Sequence, residues 1–260
     1  MGSRRVTAEM YEVAASLRRN GDRTMQIIAH RGASGEFPEN TLLAIEQAII
    51  QGADAIEIDV FAVQDELIVI HDHHLARTTN GIGSIYQYTL AELLQLDAGQ
   101  GQRIPTLWQV LELTHDKCWL NIELKGDNTV APLLTLLDKA EQQLGFDLQS
   151  LTISSFNHHL LAELKRKRPE LKLGALTASL PVDYAAFASR LQAYSVNCDV
   201  SFINQAMVDD AKARGLKVFV YTVDQSDDIR RLQDYGVDGI FCNFPARSRA
   251  IAASKEKPAG

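Results

Sequence analysis

Two acidic residues, Glu57 and Asp59, stand two positions apart within the apolar run 55–60. Side chains at positions i and i+2 of a β-strand point to the same side, so these carboxylates would share one face and the aliphatic residues the other. Two carboxylates about 5 Å apart repel by about 3 kcal/mol at an effective dielectric constant near 20, so both stay ionised only beside a cation. The pair therefore indicates a cation site, and an edge strand with a solvated acidic face is the alternative.

Further reactive side chains accompany other short apolar runs that have the composition of β-strands. His30 and Arg31 come directly after one such run, and His71 comes directly after another. Glu123 and Lys125 are again two positions apart, which places them on one face of a third strand. If the ends of these strands are neighbours, three carboxylates, two histidines and two cations converge at one place.

The types of these side chains indicate which ligands they would bind. Glu57, Asp59 and Glu123 are hard oxygen donors without an accompanying cysteine, which favours Mg²⁺ or Ca²⁺ over Zn²⁺. Arg31 and Lys125 beside such an ion would face an anion. Phosphate suits a bidentate arginine, a lysine and a divalent cation together, so the residues indicate a metal-assisted phosphate site.

Two histidines, His30 and His71, are the candidates for acid–base catalysis. Cleavage of a P–O bond needs one group that activates the attacking hydroxyl and another that protonates the leaving alkoxide. A single histidine at a strand end is more often structural, but two histidines in this company favour catalysis. The remaining histidines lack such neighbours and are predicted to be surface or capping residues: His73, His74, His115, His158 and His159.

Three aromatic residues near other strand ends, Phe156, Tyr221 and Phe244, can form an apolar wall for a substrate or belong to the core. The residues alone leave both interpretations open, and we include Phe156 and Tyr221 among the candidate substrate-binding residues. The basic run 165–168 ends a predicted helix, where cations complement the helix dipole, so we interpret it as a solvated helix terminus.

The elements that must position these groups alternate between apolar strands and amphipathic helices. Apart from a strand at 67–70, which is close enough to pair with 55–60 as a hairpin, eight strands begin at residues 26, 55, 118, 151, 172, 195, 217 and 239. This count predicts an α/β fold, a (β/α)8 TIM barrel with active groups at the carboxyl ends of its strands. A doubly wound open sheet is the alternative, although no Gly-x-Gly-x-x-Gly follows a strand.

Domain boundaries follow from interruptions of this alternation. We expect residues 25–250 to form the barrel, with a small insertion after the second strand, at about 73–105, over the barrel mouth. Residues 1–24 are expected to be an N-terminal extension, either weakly helical or added to the natural chain, and 251–260 a C-terminal tail.

Composition excludes several classes of protein. The 260-residue chain is 46% hydrophobic and 23% charged, as ordinary globular proteins are. Its net charge of -7 leaves no broad basic surface for nucleic acid. Three cysteines without close spacing fit neither a disulfide framework nor a zinc site and favour a reducing cytoplasm. No apolar run reaches the roughly 18 residues of a membrane span, so we expect a small-molecule substrate and no membrane insertion.

The ordered motifs resemble those of the glycerophosphodiester phosphodiesterase family, in its bacterial cytoplasmic form, whose barrel carries a small insertion after the second strand. The resemblance covers about residues 26–250. It is carried by His30-Arg31-Gly32, Pro38-Glu39-Asn40-Thr41, Glu57-Ile58-Asp59, His71-Asp72, Asn121-Ile122-Glu123-Leu124-Lys125, Ser155-Phe156, Val220-Tyr221-Thr222-Val223-Asp224 and Asp238-Gly239-Ile240.

This resemblance implies hydrolysis of a glycerophosphodiester, such as glycerophosphocholine or glycerophosphoethanolamine, to sn-glycerol 3-phosphate and an alcohol. The first attacking group, water or the glycerol 2-hydroxyl of the substrate, stays open. The implied roles are Glu57, Asp59 and Glu123 as ligands of a divalent cation, His30 as base, His71 as acid, and Arg31 and Lys125 as phosphate ligands.

Two positions depart from the usual pattern of the family. Tyr221 stands where tryptophan is common, and Cys242-Asn243 replaces Thr-Asp before Pro245. We expect neither departure to touch the metal or the histidines, so that substrate preference rather than the class of reaction would change.

Other functions stay open at this point. A lysophospholipase D or phosphatidylinositol phospholipase C type of phosphodiesterase could use a similar site. Such an enzyme would also require an apolar channel or an interfacial helix for its lipid substrate. A non-catalytic metal-binding or phosphate-binding barrel is the alternative of another class, and the presence of both histidines disfavours it. The sequence leaves the oligomeric state undetermined.

Overall fold

A computed structural model describes residues 25–254, which form a closed barrel of eight parallel strands. The strands are β1 (Gln26–His30), β2 (Ala55–Val63), β3 (Glu66–Val69), β4 (Trp119–Leu124), β5 (Leu151–Ser155), β6 (Leu173–Thr177), β7 (Ser195–Asp199), β8 (Lys217–Tyr221) and β9 (Gly239–Cys242). Strand β1 pairs with both β9 and β2, which closes the barrel, and β3 is the additional antiparallel strand. The TIM-barrel prediction is confirmed, and only the strands at Trp119 and Leu173 begin one residue later than predicted.

Helices surround the barrel and follow most of its strands. They are α1 (Leu42–Ile50), α2 (Leu90–Leu93), α3 (Leu107–Thr114), α4 (Val130–Leu144), α5 (His158–Lys167), α6 (Ala186–Arg190), α7 (Gln205–Ala213), α8 (Ser226–Tyr235) and α9 (Pro245–Ala253). Helix α6 is short because Tyr184 and Gln192, on either side of it, adopt left-handed φ angles of 47° and 51°, through which a right-handed helix cannot continue.

Alternation along the strands separates two apolar regions. One face of each strand packs against the helices in the main core, as Ile56, Ile58 and Val60 of β2 do. The inner face is apolar toward the amino-terminal end of the barrel, where Ile28, Phe219 and Phe241 pack together. Polar inner-face residues therefore stand above an apolar floor, at the carboxyl ends of the strands.

The predicted hairpin and insertion form a smaller apolar cluster beside the mouth. Strands β2 and β3 pair antiparallel through a turn at Gln64 and Asp65, both with left-handed φ angles, as the twist of a tight hairpin requires. The insertion contains 3₁₀ helices at Leu75–Arg77 and Ile85–Gln87 as well as α2. Its buried residues, together with the hairpin, include Phe61, Ile68, Leu75, Ile85 and Leu93.

The structure bears on the expectations about membrane spans and about cysteines. Within residues 25–254, no helix combines the length and the apolarity that crossing a bilayer requires. The thiols of Cys198 and Cys242 are buried and take part in no disulfide.

The expectation about the N-terminal extension concerns residues outside the described range and stays a prediction. A chain that starts at Met25 is expected to fold, because strand β1 begins at Gln26 and already pairs with both of its neighbours. Its free energy of unfolding in urea should lie within about 1 kcal/mol of that of the full chain. A loss of several kcal/mol would show that residues 1–24 are a packed element.

Candidate active site

The predicted site residues converge on one cavity of about 430 Å³ at the carboxyl ends of the barrel strands. The strand register brings them together, since His30 is paired with Glu57, and Asp59 with Glu123. Asp59 lies beneath the cavity and is 1% exposed. The other predicted residues line the cavity: His30, Arg31, Glu57, His71, Glu123, Lys125, Phe156 and Tyr221.

A larger cavity, of about 860 Å³, lies beside Met25 at the opposite end of the barrel. Its charged lining residues are Lys212, Lys217 and Asp238, and the last two are paired at 2.7 Å. Catalytic residues of TIM barrels lie at the carboxyl ends of the strands, so the smaller cavity is the candidate active site.

The three acids of this site form a compact cluster. Glu57, Asp59 and Glu123 each place one carboxylate oxygen within 4.8 Å of the others. Burial, together with the charges of Asp59 and Glu123, raises the pKa of Glu57 well above its ordinary value. Burial and the charge of Asp59 raise the pKa of Glu123 to about 7. Ionisation of Glu57 and of Glu123 is thus costly at this site.

This cluster suits a hard divalent cation. Oε1 of Glu57 and Oδ1 of Asp59 are buried, and no hydrogen-bond donor within residues 25–254 satisfies them. Buried polar atoms are normally hydrogen-bonded, so two unsatisfied carboxylate oxygens in one cluster fit a site for a positive ligand. Oxygen donors without sulfur fit Mg²⁺-type and Ca²⁺-type ions.

Arg31 is held against the cluster by its own backbone. It adopts a left-handed φ of 59°, which is rare for a residue with a side chain, and its N–H donates to Oε2 of Glu57 at 2.9 Å. Its guanidinium lies 2.8 Å from Glu39 and 3.3 Å from Asp59. The next residue, Gly32, has a φ of 81°, and a Cβ there would lie 2.6 Å from the backbone of α1.

Lys125 lies between the acid cluster and His71. Its Nζ is 2.8 Å from Oε1 of Glu123 and 3.6 Å from Oδ1 of Asp59. The same ammonium is 3.2 Å from Nε2 of His71, to which it can donate. The two cations predicted to bind an anion therefore both border the acid cluster.

The hydrogen bonds around His30 determine which of its ring nitrogens carries the proton. Nδ2 of Asn243 donates to Asp224 at 2.6 Å, so the amide oxygen must be the group that faces Nδ1 of His30, at 2.9 Å. An amide oxygen only accepts, so Nδ1 is protonated and Nε2 keeps its lone pair. Burial and the charge of Arg31 lower the pKa of His30 to about 4. His30 is therefore a neutral imidazole at pH 7 with a free acceptor nitrogen.

The expectation that the departing residues avoid the histidines is wrong for Asn243. The loop after β9 lies against the loop after β1, as the bond from the Gly35 N–H to the Asn243 carbonyl shows at 2.9 Å. This contact places the Asn243 amide on His30. A carboxylate at this position would favour an imidazolium, whereas a neutral amide orients the ring without adding a negative charge.

His71 has a carboxylate partner instead. Oδ1 of Asp72 lies 2.5 Å from its Nδ1. Burial tends to raise the pKa of Asp72, but hydrogen bonds from Arg77 and His71 outweigh it and lower that pKa to about 2. The carboxylate is thus ionised at neutral pH. It accepts from Nδ1 of His71 and so orients the ring with Nε2 toward Lys125.

Sequence reasoning missed a bridge between the two sides of this site. Arg77, in the first 3₁₀ helix of the insertion, pairs with Asp72 and places both terminal nitrogens 2.8 Å from the carboxylate of Glu39. Glu39 in turn accepts from Arg31. No periodic pattern marks Arg77, although it lies only six residues after His71.

The aromatic wall consists of three rings. Phe156 and Tyr221 meet edge to face with centroids 5.9 Å apart, and Phe241, which was not predicted, follows at 6.5 Å from Tyr221. The Tyr221 hydroxyl donates to the Thr177 carbonyl at 2.8 Å, which fixes its ring at the cavity edge.

Phe244 is not part of this wall. Its ring occupies the space in which a side chain at Gly35 would lie, and the guanidinium of Arg247 stacks 4.1 Å from its centroid. The wall interpretation therefore fails for Phe244, because the chain turns into α9 at this residue and carries the ring away from the mouth.

Residues predicted to lie outside the site have structural contacts. His158, the first residue of α5, bonds to the Leu176 carbonyl at 2.9 Å and stacks on Phe187. The His158 side chain therefore packs against its neighbours, whereas a surface or capping role was predicted. At the basic end of α5, Arg168 pairs with Asp138, Glu141 and Glu170, which agrees with a solvated terminus.

Comparisons with known proteins agree with this geometry. The model of the Glycerophosphoryl diester phosphodiesterase family matches residues 30–247. The chain is 42% identical over 229 residues to a glycerophosphodiester phosphodiesterase of Caldanaerobacter subterraneus subsp. tengcongensis, covering 84% of this chain and 94% of that protein. It is 34% identical to one from Bacillus altitudinis, with 87% and 97% covered.

Solved structures share the architecture. A phosphodiesterase of Oleispira antarctica, solved in complex with the product sn-glycerol-3-phosphate, is 32% identical with a TM-score of 0.82, covering 93% of this chain and 99% of that one. A glycerophosphodiester phosphodiesterase of Agrobacterium tumefaciens is 28% identical with a TM-score of 0.74, covering 88% and 100%.

Proposed function

This chain belongs to the glycerophosphoryl diester phosphodiesterase family, and from that membership we propose that it hydrolyses glycerophosphodiesters to sn-glycerol 3-phosphate and an alcohol. The observation that carries the proposal is the single cavity onto which three acids, two cations and two histidines converge. Such a set provides a metal site, charge complementarity for a phosphodiester and two groups for proton transfer.

Glu57, Asp59 and Glu123 would hold one divalent ion, Mg²⁺ or Ca²⁺, because all three ligands are carboxylate oxygens, the donors that these ions prefer. When bound, the ion would neutralise phosphate charge and polarise a phosphoryl oxygen. Arg31 and Lys125 border the cluster and would bind the remaining phosphate oxygens.

The two histidines would divide the proton transfers. His30, neutral with a free Nε2, would accept the proton of the attacking hydroxyl. His71, whose Nδ1 faces the ionised Asp72, would donate a proton from Nε2 to the leaving alkoxide oxygen. His30 ends β1 and His71 lies two residues after β3, and both line the same cavity, within which they would act on the phosphate.

Release of sn-glycerol 3-phosphate from glycerophosphocholine, with and without a chelator, tests this function. We expect turnover that disappears with chelator and returns with Mg²⁺ or Ca²⁺. Lysophosphatidylcholine and phosphatidylinositol serve as parallel substrates. Faster cleavage of either lipid would favour the lysophospholipase D or phospholipase C alternative, and metal binding without turnover of any diester would favour a binding barrel.

We also infer that the protein works in a reducing compartment, the cytoplasm. The buried thiols of Cys198 and Cys242, in two strands of the same barrel, support this. The substrate would be a small molecule that enters the open mouth of the barrel.

Arg77 is expected to act as a positioning residue, because it holds Asp72, the partner of His71, and Glu39, the partner of Arg31. The substitution Arg77→Gln should lower kcat by about tenfold to a hundredfold, the effect typical of a group that orients catalytic ligands. The control Arg190→Gln removes an exposed arginine that pairs only with Asp183 among the described residues. Because His71 would lose its oriented partner, the pH profile of kcat should also shift, and an unchanged profile and rate would contradict this role.

A further inference from the structure

One acidic side chain of the cavity stands apart from the metal-binding cluster. Asp199 ends β7, on the same face as Ser195 and Asn197, whose side chains bond to each other inside the barrel. Around the barrel, β7 is four strands from β2 in either direction, so Asp199 faces the acid cluster from the opposite side of the mouth.

The carboxylate of Asp199 lacks a cationic partner. It accepts the Ser201 N–H at 2.8 Å, and no lysine, arginine or histidine of the described chain forms an ion pair with it. The cations of the cavity, Arg31 and Lys125, form their ion pairs with the acids of the cluster, and Lys125 Nζ also lies 5.9 Å from the centroid of the Phe156 ring. The Asp199 side of the mouth therefore carries a negative charge that no neighbour compensates.

Aromatic rings line the mouth beside this carboxylate. Tyr221 is the direct strand partner of Asp199, and its hydroxyl bond to Thr177 holds the ring across the end of β7. Phe156, 46% exposed, meets Tyr221 edge to face. An ionised carboxylate next to aromatic faces is the environment that attracts an organic cation, including a quaternary ammonium that cannot donate hydrogen bonds.

We propose that Asp199, Phe156 and Tyr221 form a subsite for the alcohol half of the diester and that this subsite selects a cationic alcohol, such as choline or ethanolamine. The inference rests on the proposed function, because it requires the phosphate to lie at the Arg31 side of the cavity. With the phosphate there, one ester arm extends across the mouth. A glycerol arm offers only hydroxyls to Asp199, whereas an ammonium arm gains attraction to the carboxylate and to both rings.

The substitution Asp199→Asn tests this subsite with little change in structure. Asparagine keeps an oxygen that accepts the Ser201 N–H, and it is as good a helix-capping residue as aspartate. In the metal-loaded protein, kcat/KM for glycerophosphocholine and glycerophosphoethanolamine should fall about tenfold, which corresponds to about 1.4 kcal/mol. For glycerophosphoglycerol, whose alcohol is neutral, kcat/KM should stay within about twofold.

Two further variants distinguish an effect of the subsite from an effect of removing one negative charge anywhere on the protein. Asp234→Asn, on the exposed side of α8, removes the same charge far from the cavity and should leave all three substrates unchanged. Phe156→Leu keeps an apolar side chain but removes a ring, so it should slow the choline ester more than the glycerol ester.

Two results with Asp199→Asn would overturn the proposal. An equal fall for all three substrates would mean that Asp199 binds the glycerol common to them, and no fall for any would mean that it only caps the turn that follows. Failure of the proposed function looks different, since the unsubstituted protein would then cleave none of the three diesters.

Discussion

The substitution Glu57→Gln, at one of the three proposed metal ligands, is expected to abolish phosphodiesterase turnover together with binding of the divalent ion. Glu57 is 3% exposed and shares the cluster with Asp59 and Glu123, so its loss leaves two ligands. Metal assistance contributes several kcal/mol to catalysis, and each 1.36 kcal/mol is tenfold in rate, so kcat/KM should fall by about 10³-fold or more. Exhaustive treatment with EDTA should have the same effect on the unsubstituted protein.

Stability should distinguish loss of the ion from loss of the fold. Burial and the neighbouring charges raise the pKa of Glu57 well above its ordinary value, so the metal-free site favours its neutral form, which glutamine mimics. The Tm of Glu57→Gln in EDTA should therefore not fall below that of the unsubstituted protein. Glu112→Gln, on the exposed face of α3, is the control and should keep both metal and activity. Full activity after EDTA treatment, or in Glu57→Gln, would contradict the metal assignment.

Replacement of either His30 or His71 by alanine should lower kcat by about 10²-fold to 10⁴-fold, the range for a general acid or base, with substrate binding largely kept. The reason differs between the two residues. His30 has a protonated Nδ1 on Asn243 and a free Nε2, so it can only accept a proton. His71 has the ionised Asp72 on its Nδ1, and Nε2 is the nitrogen from which it would protonate the alkoxide. His159→Ala, on the exposed face of α5, should leave the rate unchanged.

A change of leaving group separates the two roles. A diester of p-nitrophenol has a leaving group that departs without protonation, so it should partly restore the rate of His71→Ala but not of His30→Ala. The measurement is the ratio of kcat for the p-nitrophenyl and choline diesters in each variant. Equal restoration in both variants, or none in either, would refute the division of roles.

Arg77 and Asn243 show why sequence patterns could not predict part of the site. Asn243 is 213 residues from His30 along the chain, and their contact exists only because β9 closes the barrel against β1. Arg77 reaches Glu39 through the packing of the insertion. The position of Phe244 stayed open for the same kind of reason, since the direction of a loop side chain depends on which surface the loop meets.

Local patterns along the chain were enough to predict the strands, their inner faces and the acid cluster. Period-two alternation is a local property, so Glu57 and Asp59, or Glu123 and Lys125, share a face wherever the strand lies. The count of eight strands then determined that their carboxyl ends meet. Which groups face one another across the mouth follows from the way the barrel closes. Asp199 lies opposite the acid cluster because barrel closure puts β7 four strands from β2, and no local pattern records that distance.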